Sequence, residues 1–208
     1  MEKKIVLKKE NGVYKIPRFI RFKIRKNNKF YYEYNGKLYT QEKHDNLEVF
    51  QISTLVCALN IKKRKERLKY VYEKACDILD SNFYGKNLCE FKNNRCMHDR
   101  IHAKSDDGCC RTNDGKRSCK YIKNHRCQTR CLACKFHVCY CLKNKGIKYK
   151  VNDILVLKYL YTWKQKIIVY CDFFMTEDEV LKDVYRNSLT IWSLFTRHKS
   201  FVKNKEND

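Results

Sequence analysis

The sequence predicts an α+β protein: an N-terminal β-hairpin with helices, a central cysteine-rich, metal-stabilised irregular region, and C-terminal helices. Three observations predict it. Residues 13–40 read as strands, with apolar and polar side chains alternating at period two over Ile20 to Arg25 and a turn signal at Asn35-Gly36. Apolar residues recur at helical spacing over 47–79 and again after 152. Ten of the 13 cysteines fall within residues 89–141. The chain has 208 residues and is 43% hydrophobic, enough for a core and too much for wholesale disorder. Three segments follow: 1–81, a basic hairpin plus helices; 82–150, a cysteine-rich metal-binding region; and 151–208, helical.

In the first segment Ile20, Phe22 and Ile24 alternate with Arg21, Lys23 and Arg25, the pattern of a half-buried strand. Phe30 to Tyr34 is aromatic-rich, Asn35-Gly36 supplies a turn that tolerates positive φ, and Lys37 to Thr40 returns as the partner strand. Asp45-Asn46 caps a helix from about Leu47 to Leu59. A second helix covers Lys62 to Leu79, with Leu68, Val71, Tyr72, Ala75, Ile78 and Leu79 on one face. Its first turn is strongly basic, which opposes the helix dipole.

Residues 82–150 contain too few apolar groups to bury a core of their own, so metal ligation is the expected source of stability. Beyond 152, Val156, Leu160, Trp163 and Ile167 share one helical face, Thr176-Glu177-Asp178-Glu179 is a capping box before Val180, Leu181, Val184 and Tyr185, and a last helical piece covers Leu189 to Phe195. No run of 18 uncharged apolar residues exists; the nearest, Ile154 to Met175, is broken by Lys158, Lys164, Lys166 and Asp172. No secretory signal opens the chain, so a cytoplasmic location is expected.

In that reducing compartment clustered thiols are metal ligands rather than a disulfide framework. The string is Cys89, Cys96, His98, His102, Cys109, Cys110, Cys119, Cys127, Cys131, Cys134, Cys139 and Cys141, with His125 and His137 also in range. Fourteen donors allow up to three four-coordinate sites, and two zinc sites are expected. Cys131-Leu-Ala-Cys134 is the strongest element, because a two-residue gap lets both sulfurs reach one ion at about 2.3 Å. Adjacent Cys109 and Cys110 diverge and serve two sites, or one is a bystander. His98 and His102, four residues apart, share a helix face. Each histidine also has a plain reading as a solvated or core residue.

The elements Gly108-Cys109-Cys110-Arg111, Cys119-Lys-Tyr-Ile, Cys127 and Cys134-Lys-Phe-His-Val-Cys139 resemble the zinc- or iron-chelating cysteine-cluster family, over about residues 96–141. The resemblance implies one metal or iron–sulfur site built from these cysteines. Three departures stand: no close Cys-x2-Cys-Gly precedes the double cysteine, no Arg-Pro step precedes the penultimate one, and Cys131 is extra. A second pattern, Cys127-x3-Cys131-x2-Cys134, resembles the [4Fe–4S] signature of radical S-adenosylmethionine enzymes. Against it, Ala133 replaces the usual aromatic, and only 74 residues follow Cys134. No phosphate-cradling glycine pattern or other catalytic constellation is visible, so an enzyme is the secondary reading.

The net charge is +23, from 46 Lys and Arg against 23 Asp and Glu. Residues 1–80 carry +10, 81–141 carry +8 and 142–208 carry +5. Two Zn(Cys)4 centres, each about −2, would reduce the middle figure to about +4. Such a balance favours acidic partners, nucleic acid first, then an acidic protein or an anionic membrane surface. An AT-rich coding bias towards Lys, Asn, Tyr and Ile is the competing explanation.

Arg18, Arg21, Lys23 and Arg25 on the strand, with Tyr31, Tyr32 and Tyr34 beside them and Lys62, Lys63 and Arg64 at the second helix, have the ingredients of single-strand binding. The plainer reading is an ordinary hairpin with one core face and cross-strand tyrosine pairs. A zinc-knuckle reading moves the contact to Lys116, Arg117, Lys120, Lys123, Arg126 and Arg130. A metal-handling scaffold without nucleic-acid binding is the third alternative.

Overall fold

The computed structural model describes residues 4–11, 13, 14, 22, 24–84, 88, 91, 92, 95, 96, 122, 123, 126–173 and 175–187. Its sheet has three strands in the order β1 (Lys4–Leu7), β4 (Lys29–Tyr34), β5 (Lys37–Tyr39). The predicted hairpin is β4–β5, closed by Asn35 at φ 50° and Gly36 at φ 71° and paired Tyr32 with Tyr39, Tyr34 with Lys37. Both turn residues are left-handed, the conformation that matches the twist of the flanking strands. β1 lies parallel to β4, Ile5 against Phe30 and Leu7 against Tyr32. That pairing was not expected. Two-residue ladders join β2 (Lys9–Glu10) to β3 (Val13–Tyr14), Phe91–Lys92 to Arg95–Cys96, and Ile122–Lys123 to Arg126–Cys127.

The expected strand around Ile20 to Arg25 requires correction. Phe22, Ile24 and Arg25, its described residues, lie outside any strand. Phe22 is nevertheless buried, edge-on to Phe30 and Tyr159, with Ile24 packed against the core. At Phe22 and Ile24 the alternation marked inward side chains, while Ile20, Arg21 and Lys23 lie outside the described residues.

Helix α1 (Leu47–Asn60) begins where Asn46 Oδ1 accepts the Val49 N–H at 2.9 Å. It is buried on nearly every side, including Ser53 and Thr54, whose hydroxyls donate to carbonyls of Lys43 and Phe50. Its last residue serves the sheet: the Asn60 amide accepts from Phe30 N and donates to Phe30 O, both at 3.0 Å, standing in for a neighbouring strand. Helix α2 (Arg64–Tyr84) starts two residues later than expected and runs five further. All six residues of its predicted apolar face are buried.

Two short helices, α3 (Leu132–Phe136) and α4 (Tyr140–Asn144), occupy the end of the cysteine-rich stretch. Its described end is therefore helical, and Leu132 and Phe136 enter the same core as α1 and α2.

The C-terminal helices are α5 (Leu155–Leu160), α6 (Trp163–Cys171) and α7 (Glu177–Arg186). The single face predicted through Val156, Leu160, Trp163 and Ile167 does not exist. Tyr161 and Thr162 are extended, and a Thr162–Gln165 capping box starts a new helix. Trp163 is consequently 65% exposed, while Gln165, Ile168 and Val169 are buried. The Thr176–Glu179 capping box is present, and Val180, Leu181 and Val184 are buried as expected. The predicted piece Leu189 to Phe195 lies outside the described residues. No described helix is long and apolar enough to cross a membrane.

Candidate functional site

Residues 130–141 end the cysteine string, and the structure clamps their beginning onto α2. Glu73, Asp77 and Asp80 recur at helical spacing and present a carbonyl and two carboxylates to the incoming segment. Arg130 donates through Nη1 to Asp77 Oδ1 at 2.7 Å and through Nη2 to Glu73 O at 2.9 Å, with Nε 3.8 Å from Glu177 on α7. Lys135 Nζ pairs with Asp80 Oδ1, its side chain only 3% exposed. Leu132 N donates to the buried Tyr72 hydroxyl at 3.3 Å. Burial, with a smaller push from Asp77, raises the Asp80 carboxyl despite Lys135 and Arg130. Burial likewise pushes up the Glu177 carboxyl and the Cys76 thiol; that thiol donates to Arg130 O at 3.4 Å. This is a structural joint of ion pairs in which Lys135 is buried and its partners stay partly exposed. Arg130, offered by the knuckle reading as a nucleic-acid contact, instead spends its guanidinium inside the protein.

The predicted ligands are placed as follows. Cys131 is buried, and its Sγ lies 3.0 Å from Asp172 O, within hydrogen-bond distance. Cys134, on α3, and Cys139, just before α4, are half-buried. Cys96, Cys127 and Cys141 are placed by backbone only, in short ladders and in α4. Cys89, His98, His102, Cys109, Cys110 and Cys119 lie outside the described residues. Among the described residues, no three His, Cys, Asp or Glu side chains stand together as a metal site. Cys134 and Cys139 fit a thiophilic ion as soft, partly accessible donors, and remaining ligands would have to come from elsewhere in the string.

Of the basic residues, Arg18, Arg21 and Lys23 lie outside the description, as do Lys116, Arg117 and Lys120. Lys123 and Arg126 are placed by backbone in a two-residue ladder. Arg25, Lys62, Lys63 and Arg64 are all exposed. The fold brings the two stretches together: Lys62 Nζ donates to Asn28 O at 2.6 Å and Arg25 O at 3.2 Å. Three of the four cationic heads already have protein partners, since Lys63 pairs with Glu66 at 2.9 Å and Arg64 donates to Tyr185 O at 2.9 Å, at the end of α7. The Arg64 contact answers why a basic residue opens α2. Tyr32 is fully buried and donates to Gln41 O at 2.9 Å, so it is a core residue rather than a stacking surface.

A second titratable cluster was not visible in the sequence. Glu42 accepts from the Tyr70 hydroxyl at 2.6 Å and Lys74 at 2.9 Å, with His44 Nε2 at 3.5 Å and Cys57 close by. Burial pushes the Cys57 thiol and the Tyr70 phenol up, so both stay protonated and hold the 40–44 loop to the helices. No known family, curated protein or solved structure matches this chain.

Proposed function

We propose that the protein is a metal-stabilised nucleic-acid-binding protein, in which cysteines of residues 89–141 hold zinc, or an iron–sulfur cluster, as a structural centre. The reading rests chiefly on one observation: ten cysteines follow one another in a stretch poor in apolar groups, and the end of that stretch is clamped to the core by Arg130 and Lys135. A clamp of that kind gives a metal-held loop a rigid footing. The hydrogen bond from Cys131 to Asp172 O supports leaving Cys131 out of the ligand set. Cys131 is also the residue that is extra to the cysteine-cluster pattern, and the radical-enzyme pattern requires it as a ligand.

The charge of +23 supports a polyanionic partner. The experiment is a titration of the full metal-loaded chain with labelled RNA and DNA oligonucleotides at several salt concentrations. Engagement of about six phosphates on a single strand gives a log–log salt slope of about −4. Binding absent at low salt, or insensitive to salt, would sink the nucleic-acid half of the proposal and leave a metal-handling scaffold.

A further inference from the structure

Helix α6 carries an outward stripe that folding uses only in part, where the Tyr170 ring lies 6.2 Å, centroid to centroid, from Phe136. Residues 163, 167 and 170 fall within about 60° of one another around a helix. Trp163 is 65% and Tyr170 51% exposed, with Ile167 half-buried between them. The opposite face of the same helix packs Gln165, Ile168 and Val169 into the core. Single exposed apolar residues need no explanation, but two large aromatics with an aliphatic residue in one stripe form a patch.

The stripe borders a recess. Ile167 and Tyr170 form one wall, and Tyr149, Lys150 and Asn152 form the other, around about 340 Å³. Lys166 Nζ ties the walls together, donating to Asn152 Oδ1 at 2.8 Å and Lys158 O at 2.9 Å. Residues 142–171 hold seven lysines and one acid, Asp153. Asp153 Oδ2 accepts from the Lys150 backbone N–H at 2.8 Å and so caps a turn. Lys158 and Lys150 are exposed, and Lys164 lies over the Trp163 ring at 5.7 Å. Burial chiefly, and the neighbouring Lys158, lower the Lys166 ammonium.

We propose that the Trp163–Ile167–Tyr170 stripe and its lysine-rich recess form a stacking platform for single-stranded nucleic acid. The platform rests on the nucleic-acid half of the function proposed above and assigns its contact surface. Exposed aromatic faces take unpaired bases, whereas bases inside a duplex are already stacked. Lysines around the stripe match the charge of the phosphate chain. The shallow, open depression beside this nine-residue helix leaves room for a base next to the rings.

The test measures fluorescence anisotropy of labelled oligothymidylate and of a duplex of equal length, titrated with the full metal-loaded chain. Trp163→Ala combined with Tyr170→Ala is expected to weaken single-strand binding by about tenfold or more, with the salt slope unchanged. Trp163→Phe with Tyr170 intact is expected to keep most of the affinity. Both positions are exposed, and an unchanged far-ultraviolet spectrum confirms folding. Unchanged single-strand affinity in the double variant overturns the platform, as does an equal loss for duplex. Loss on Arg25→Glu but not in the double variant overturns the platform and leaves the broader function standing. A wild-type chain that binds no oligonucleotide overturns both. Binding to anionic phospholipid vesicles alone replaces nucleic acid by a lipid surface and overturns the platform too.

Discussion

Asp80→Ala is expected to destabilise the protein by about 3 kcal/mol, the cost of leaving a buried cation without its partner. Lys135 is the cation, 3% exposed and paired with Asp80, which is itself one-third exposed. In water an ion pair of this kind contributes little, because both ions are well solvated apart. Here the lysine has given up its solvent, and removing the carboxylate does not return it. Burial is also the largest influence on the Asp80 carboxyl, which is raised, with Asp77 adding to it, despite Lys135 and Arg130; replacing such a buried pair by apolar groups of similar volume is often neutral or stabilising. Asp80→Leu with Lys135→Met is therefore expected to be about as stable as the wild type, or more so. Urea unfolding of the two single variants and the double variant measures this. A double variant as unstable as Asp80→Ala alone would mean that the charges hold the clamp and that apolar packing does not suffice.

The second large effect separates cysteines that look alike in sequence. Cys134→Ser and Cys139→Ser are each expected to lower the bound metal by about one ion per chain and to loosen the cysteine-rich stretch, because binding energy of about 10 kcal/mol or more accompanies a structural zinc. Cys131→Ser is expected to leave the metal content unchanged and to cost about 1–3 kcal/mol, through a small polar hydroxyl in a fully buried thiol site. Element analysis alongside thermal unfolding distinguishes the two patterns. Metal lost on Cys131→Ser would restore it to the ligand set and revive the radical-enzyme pattern.

Local signals were legible wherever local physics decides. Asn35-Gly36 closed its hairpin because both residues accept positive φ. The apolar spacing of α2 named its buried face, and Thr176-x-x-Glu179 marked the start of α7. The break before α6 was also written, since Thr162-x-x-Gln165 is the same box, but a run of apolar residues through it read as one helix. What stayed hidden depends on partners far along the chain. The parallel pairing of β1 with β4 spans more than twenty residues, and Asn60 mimics a strand for Phe30, thirty residues away. Arg130 and Lys135 meet Asp77 and Asp80 across separations of 53 and 55 residues. For the same reason, charge counting found a basic chain but not which heads were spent: Lys62, Lys63, Arg64 and Arg130 bind the protein, while Trp163, read as part of an apolar helical face, is exposed. The cysteine string was evident from spacing, yet spacing could not say that Cys131 is buried while Cys134 and Cys139 are half-buried.

The central claim, that these cysteines hold a structural metal, is tested most directly by metal and acid-labile sulfide analysis of the full chain purified without oxygen or chelator, with a visible absorption spectrum of the same sample. The account predicts about two tightly held zinc ions and no colour, or stoichiometric iron and sulfide in place of zinc. A folded chain with no bound metal, and with its cysteines freely reactive to a thiol reagent, would contradict it.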